Sequence, residues 1–128
     1  MVAYNFKSQF AEPIRSGKKT HTIRRNGKRR HAVAGELLQL YTGMRTRSCA
    51  KILNVDPVCD GSHAIRIDVA PDKITGIWIG GHRITHLKTF AVRDGFESLA
   101  AMHAFFKDMH GVGSFEGTLI EWKLTQGS

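Results

Sequence analysis

The chain has 128 residues, 41% of them apolar and 23% charged, which is the make-up of one globular domain (1–128) able to bury a core without metals or disulfides. No apolar run reaches the ~18–20 residues of a membrane-spanning helix. The opening "MVAYNFKSQF" lacks a signal-peptide pattern, so no membrane partner and a cytoplasmic location are expected. The net charge is +8, and twelve of the nineteen Lys/Arg fall in residues 1–51 beside only two acids, Glu12 and Glu36. Clustered positive charge attracts phosphates, so RNA, or a nucleotide or nucleoside, is the expected partner.

In chain order, Phe6, Phe10 and Ile14 recur at helical spacing, and Pro13 suits a first turn. They predict a short helix within 8–16, stopped by Gly17. "THTIRR" alternates as a strand, and Asn26-Gly27 predicts a tight hairpin turn after it. "ELLQLYT" (36–42) and "RSCAKILNV" (47–55) read as strands, as does "HAIRIDVA", where Ile65, Ile67 and Val69 share one face. "ITGIWI" and the stretch around "ITHLKTF" are further strands on either side of Gly80-Gly81, glycines that permit close approach to a ligand. Ser98 caps a helix whose apolar stripe is Leu99, Met102, Phe105, Phe106 and Met109, a core-packing pattern, and Gly111 ends it. "GTLIEWKLT" (117–125) closes the series as a strand with Thr118, Ile120, Trp122 and Leu124 on one side. Trp78 and Trp122 both read as core. Cys49 and Cys59 have no ligand-like spacing and read as free thiols.

The segment that carries chemistry is "SGKKTHTIRRNGKRRH" (16–31), with seven Lys/Arg and no acid. A hairpin at Asn26-Gly27 would present Arg24, Arg25, Lys28, Arg29 and Arg30 along one edge, with Lys18, Arg45 and Arg47 adding to the same surface, as a phosphate-binding ribbon. No acidic or Cys/His cluster specifies a metal, so no cofactor is expected.

"IRSGKKTHTIR", then "AGELLQLYTG", "RDGF" before an amphipathic helix, and "FEGTLIEW" together resemble the ASCH domain family of the PUA-like superfamily, from Phe6 to Trp122. The resemblance implies an α+β fold: a small PUA-like mixed β-barrel flanked by two or more helices. It also implies a basic RNA-binding cleft around Gly17–Arg24. One bacterial branch is similar to N4-acetylcytidine amidohydrolases, and by motif it places a catalytic set on Lys19, Thr22 and Asp94, where that branch has Glu in place of Asp94. Against the family pattern, "DPVCDGSHA" and "WIGGHRITH" read as added loops around 56–64 and 78–86.

The implied chemistry makes physical demands. A threonine hydroxyl needs a base before it is a nucleophile, and lysine serves only when burial or nearby cations lower its pKa. Lys18, Arg24 and Arg25 are candidate neighbours, and backbone N–H groups of the Gly17–Lys19 turn are the candidate oxyanion donors. Strand alternation puts Thr22 and Lys19 on opposite faces, so they converge only if the chain bends after Gly17. The leading expectation is an RNA- or nucleotide-binding domain. Hydrolysis of N4-acetylcytidine or a related modified nucleoside is the alternative, and ribonuclease activity the second alternative.

Overall fold

A computed structural model of the chain describes residues 1–124. In order these form β1 (Val2–Phe6), a 3-10 turn (Ser8–Phe10), α1 (Ala11–Ser16), β2 (His21–Arg24), β3 (Leu38–Thr42) and β4 (Ala50–Lys51). Then come β5 (Val58–Val69), β6 (Ile74–Ile79), β7 (His82–Arg83), α2 (Leu87–Arg93), α3 (Leu99–His110) and β8 (Gly113–Lys123). The fold is mixed α+β and mostly β, in two sheets ordered β1-β3-β4 and β2-β8-β5-β6-β7.

One pairing governs the layout. β1 and β3 run parallel, whereas the other ladders are antiparallel. A parallel pair cannot be joined by a tight turn, so the chain between them must travel out and return. That excursion carries α1, β2 and the whole basic stretch. β2 leaves the first sheet and pairs with β8, His21 opposite Glu121 and Arg24 opposite Thr118.

Among the described residues, backbone bonds stitch the two sheets together on one side. There Leu37 bridges Val58, and the Gly35, Leu38 and Cys59 N–H groups donate to Cys59, Pro57 and Glu36 carbonyls. On the other side β1 and β2 share no ladder, and the Arg24 guanidinium crosses the gap to the Asn5 carbonyl at 2.6 Å. Among the described residues the strands therefore close no barrel.

The interior is filled by side chains of both sheets and of α1 and α3, among them Ile14, Leu38, Leu40, Ile67, Ile77, Met102, Leu119 and Ile120. β8 is buried on both faces between Gly117 and Trp122 apart from the part-exposed Thr118 and Glu121, as befits a strand with neighbours on each side. Thr125, the end of the predicted last strand, lies outside the described residues.

Several expectations need correction. Residues 47–55 yield only the two-residue β4, because most of the stretch is taken up by turns. "ITHLKTF" is not a strand: β7 stops at Arg83 and Leu87–Arg93 is helical. The supposed loop at 56–64 is largely the first half of β5, which absorbs Asp60-Gly61 as a bulge between Cys59 and Gly61. The loop at 78–86 is mainly the β6–β7 hairpin. Gly80 and Gly81 both have positive φ (58° and 83°), as a two-residue primed turn requires, and a Cβ on either would meet open space. Asn26-Gly27 forms no hairpin, since β2 already has its partner in β8 and residues 25–36 run on as a loop. Trp122 is buried, but Trp78 lies half-exposed on the sheet with Arg66 and Arg83 over its ring at 4.2 and 5.4 Å. Cys49 is exposed, Cys59 is buried, and both are free thiols.

The helix ends follow the sequence signals. Gly17 caps α1 at φ 84°, and the Ser98 hydroxyl accepts the Ala101 N–H at 3.0 Å to cap α3. Replacing Ser98 by Ala orphans that N–H and is expected to cost about 1 kcal/mol, lowering Tm by roughly 3–5 °C. Calorimetry on the variant checks this; an unchanged Tm would mean the cap contributes nothing.

Candidate active site

The open seam between β1 and β2 is the mouth of a cleft of about 400 Å³. Its walls are apolar, from Phe6 and Phe10 on one side and Phe96, Phe105, Phe106 and Met109 on the other. The stripe on α3 is thus divided between two tasks. Met102 is core, Phe106 is buried yet reaches the cleft wall, and the exposed Met109 and part-buried Phe105 face the cleft.

Lys19, Thr22 and Asp94 all line this cleft, and each is nearly sealed from water, with 3–4% of its surface exposed. The geometric conflict between Lys19 and Thr22 is resolved by where β2 begins. Lys19 precedes the strand: its N–H bonds back to the Pro13 carbonyl, and the Thr20 N–H reaches the Arg93 carbonyl. The chain bends at this point, freeing Lys19 from strand alternation.

Asp94 is delivered by a helix ending. The Phe96 N–H bonds the Ala91 carbonyl and the Gly95 N–H the Val92 carbonyl, the pair of bonds that closes a helix on a left-handed residue. That residue is Gly95, at φ 97°. A Cβ on Gly95 would stand 2.8 Å from Lys19 Cδ and 3.0 Å from Phe10 Cδ1, so glycine serves both the turn and the space beside the lysine. "RDGF" is therefore a stop signal for α2 as much as a prelude to α3.

At the floor, the Lys19 ammonium donates to the Asp94 backbone carbonyl and to Asp94 Oδ1, the latter at 3.0 Å. It also lies 4.9 Å from the Phe10 ring centroid and 5.7 Å from that of Phe6. Burial pushes the Lys19 pKa down, and the Asp94 charge only partly opposes this, so the net shift is downward. For Asp94, burial pushes upward, but Lys19 and His21 outweigh it and hold the carboxyl below its ordinary value. The site thus pairs an ionised acid with an amine that gives up its proton more readily than a free lysine.

His21 is the member that sequence reasoning missed. Its Nε2 stands 3.3 Å from Asp94 Oδ1, within ion-pair range but outside good hydrogen-bond geometry, so this buried nitrogen has no hydrogen-bond partner. Its ring stacks on Phe90 of α2, with centroids 4.7 Å apart. Alternation along β2 could have set His21 on the face opposite Thr22, but its neighbours there belong to a helix that sequence reading takes for a strand.

Arg24 also belongs here. Its Nε–H donates to Thr22 Oγ1 at 3.1 Å, a contact open to residues two apart on one strand face. Its guanidinium packs over Phe6 and Tyr4. Part-buried and committed to Thr22 and Asn5, it lines the cleft instead of lying along an outer ribbon.

The rest of the expected basic edge is not one surface. Arg25 lines the cleft, donating to His110 Nδ1 at 3.1 Å and lying over Phe115. Burial and the Arg25 charge together lower the His110 pKa. Arg30 makes a two-pronged pair with Glu36, at 2.6 and 2.8 Å, so its charge is already answered. Lys18, Lys28, Arg29 and Arg45 are exposed and make no ion pair or side-chain hydrogen bond among the described residues. Two of the three expected oxyanion donors are spent: the Gly17 and Lys19 N–H groups bond to Ile14 and Pro13 carbonyls of α1. Arg24 is the side-chain donor directly beside Thr22.

Among the described residues no group of three His, Cys, Asp or Glu side chains could hold a metal, and no helix is long and apolar enough to cross a membrane. No protein-family model, curated protein or solved structure matches the chain.

The buried pair predicts a non-additive response. Asp94→Leu strands the Lys19 amine without its counter-charge and is expected to cost about 3–5 kcal/mol in urea unfolding. Adding Lys19→Met should recover much of that loss, and a double variant no more stable than Asp94→Leu alone would deny the coupling.

A pH dependence follows as well. Because folding lowers the Asp94 pKa, the unfolded chain binds more protons there as pH falls. The stability from this carboxylate is complete above its unfolded value of about 4 and is lost as pH falls through the lower folded value. Acid unfolding followed by circular dichroism should therefore be shallower in Asp94→Asn than in the wild type. Equal slopes would mean another carboxylate dominates.

Proposed function

We propose that this cleft hydrolyses an amide on a small aromatic ring, with N4-acetylcytidine or a closely related acylated nucleoside as substrate. One observation carries the reading: a buried lysine of lowered pKa, held by an acid, lines the same aromatic cleft as a threonine hydroxyl. That combination suits a nucleophile and its base better than it suits a surface for phosphates. The resemblance to the amidohydrolase branch of the PUA-like ASCH domains supports it, since the three motif residues line one cleft.

In this mechanism the Phe6, Phe10 and Phe105 walls take the flat base and exclude water, leaving the acyl group toward Thr22. Neutral Lys19 accepts the Thr22 hydroxyl proton as Oγ1 forms a bond to the acyl carbon. The resulting oxyanion is stabilised by the Arg24 guanidinium, whose charge is strengthened in effect by the dry surroundings. The carbon–nitrogen bond then breaks, Lys19 returns the proton to the departing amine, and an acyl-Thr22 ester remains. Water, deprotonated by Lys19, attacks this ester, and acetate leaves as Thr22 recovers its proton. Asp94 keeps Lys19 aimed and balances its charge while the proton is held.

A second reading, binding of single-stranded RNA, is favoured by the exposed and unpaired Lys28, Arg29 and Arg45. The two differ in what they require of Thr22. In the hydrolytic reading, Thr22→Ala and Lys19→Ala each abolish acetate release, by similar factors, because parts of one device fail together. Thr22→Ser retains part of the rate. The wild-type rate rises with pH along an apparent pKa below the ordinary lysine value, the direction set by Lys19. Acetate release unchanged in Thr22→Ala, or none from the wild type above a heat-treated control, would reject the hydrolytic reading. RNA retention lost in a Lys28/Arg29/Arg45 alanine variant would then favour the second.

A further inference from the structure

A second cavity, of about 660 Å³, lies across Phe90 from the active-site acid. Phe90 is shared between the two regions: it lines this cavity, while its ring stacks on His21, which in turn stands beside Asp94. The remaining lining comes from the end of the β6–β7 hairpin, the residues after it and α2, and none of those side chains enters the hydrolytic reading.

Its chemistry is lopsided. Arg83 from β7, Arg93 from α2 and His86 between them face the cavity with the Thr89 hydroxyl, and no carboxylate lines it. Arg83 is fixed in place: one N–H donates to the Thr75 carbonyl at 3.0 Å, and the guanidinium lies over the Trp78 ring. Its other donors remain uncommitted. Arg93 makes no ion pair or side-chain hydrogen bond among the described residues. Ile79, Ile84 and Phe90 supply an apolar wall beside these cations.

A cation in the last turn of a helix favours the helix dipole, which would account for Arg93 alone. It does not account for Arg83, brought to the same cavity from a different element and braced there. Two guanidinium groups lining one cavity without an acid repel each other until an anion joins them. Planar guanidinium donors match phosphate oxygens best, and the adjacent apolar wall suits a flat ring.

We propose that this cavity binds the phosphate of a nucleotide, with Arg83 and Arg93 gripping the phosphate and the Ile84–Phe90 wall taking the attached organic group. The site is separate from the cleft and does not depend on the hydrolytic reading. The same phosphate chemistry is offered by a free nucleotide and by a residue within an RNA strand.

The test is a titration of isotope-labelled protein followed by amide chemical shifts, using cytidine 5′-monophosphate, inorganic phosphate, cytidine and a short oligocytidylate. Saturable shifts in residues 83–93 are expected with cytidine 5′-monophosphate, weaker ones with inorganic phosphate, and none there with cytidine. Arg93→Ala, an exposed position whose folding is checked by circular dichroism, should weaken nucleotide binding at least about tenfold, and Arg93→Lys should recover part of it. Oligocytidylate binding more tightly than the mononucleotide would make a strand the source of the phosphate, and equal or weaker binding would make it the free nucleotide. Shifts confined to the residues around Thr22, shifts equally strong with cytidine, or unchanged affinity in Arg93→Ala would overturn the proposal.

Discussion

The structure turns on one buried ion pair. Lys19 and Asp94 lie far apart in sequence, yet their contact fixes the entry to β2 against the joint between α2 and α3. Around it gather the features that would otherwise lack a reason: the backbone bond from Thr20 to Arg93, the glycine at 95, and the stacking of His21 on Phe90. Taking both charges out of water is costly, and their attraction offsets that cost only with further hydrogen bonds. Lys19 gains one from the Asp94 backbone carbonyl, so the acid residue holds the amine twice. An apolar pair of similar volume would serve stability as well or better. What the pair supplies beyond stability is a fixed position for the amine at the floor of the cleft.

The same surroundings determine how charge is distributed in the cleft. Phenylalanine rings on several sides lower the local dielectric, which makes each remaining polar contact count for more. Thr22 has Arg24 as donor to its oxygen, which favours the oxygen's negative form while leaving its proton free to depart. Arg24 in turn is steadied by the Asn5 carbonyl and by two aromatic rings. A residue that reads as one more phosphate ligand in a basic run thus becomes the link between the two strands that border the opening.

What was legible in the sequence was what local chemistry decides. Gly17, Ser98 and Gly111 mark helix ends by mechanisms confined to a few residues, and α1 and α3 fall where those residues put them. α2 was not legible: His86, the residue just before it, makes no side-chain cap, the helix has only seven residues, and Ile84 and Thr85 upstream are β-branched. Missing α2 hid the role of His21, because Phe90 and Asp94 both come from that helix or its end. Asp94 itself was found through the motif order around "RDGF". In β5, Asp60-Gly61 has the composition of a turn, but pairing with β8 carries the strand through it as a bulge. Long-range partners overrode local preference there, and likewise at Asn26-Gly27, whose preceding strand was already engaged.

The parallel pairing of β1 with β3 has a consequence in time. β2 finds its only ladder in β8, with Thr22 opposite Ile120, so the strand bearing the threonine cannot settle until the last described strand is present. Closing so large a loop is paid for in chain entropy before any contact rewards it, and topologies of this kind fold slowly. During synthesis β1, α1 and β3 can meet early, while Lys19 and Thr22 wait on a loose excursion between them. The arrangement of Lys19, Thr22 and Asp94 is therefore a late product of folding, and in a nascent chain Lys19 has no Asp94 to meet until α2 has been made.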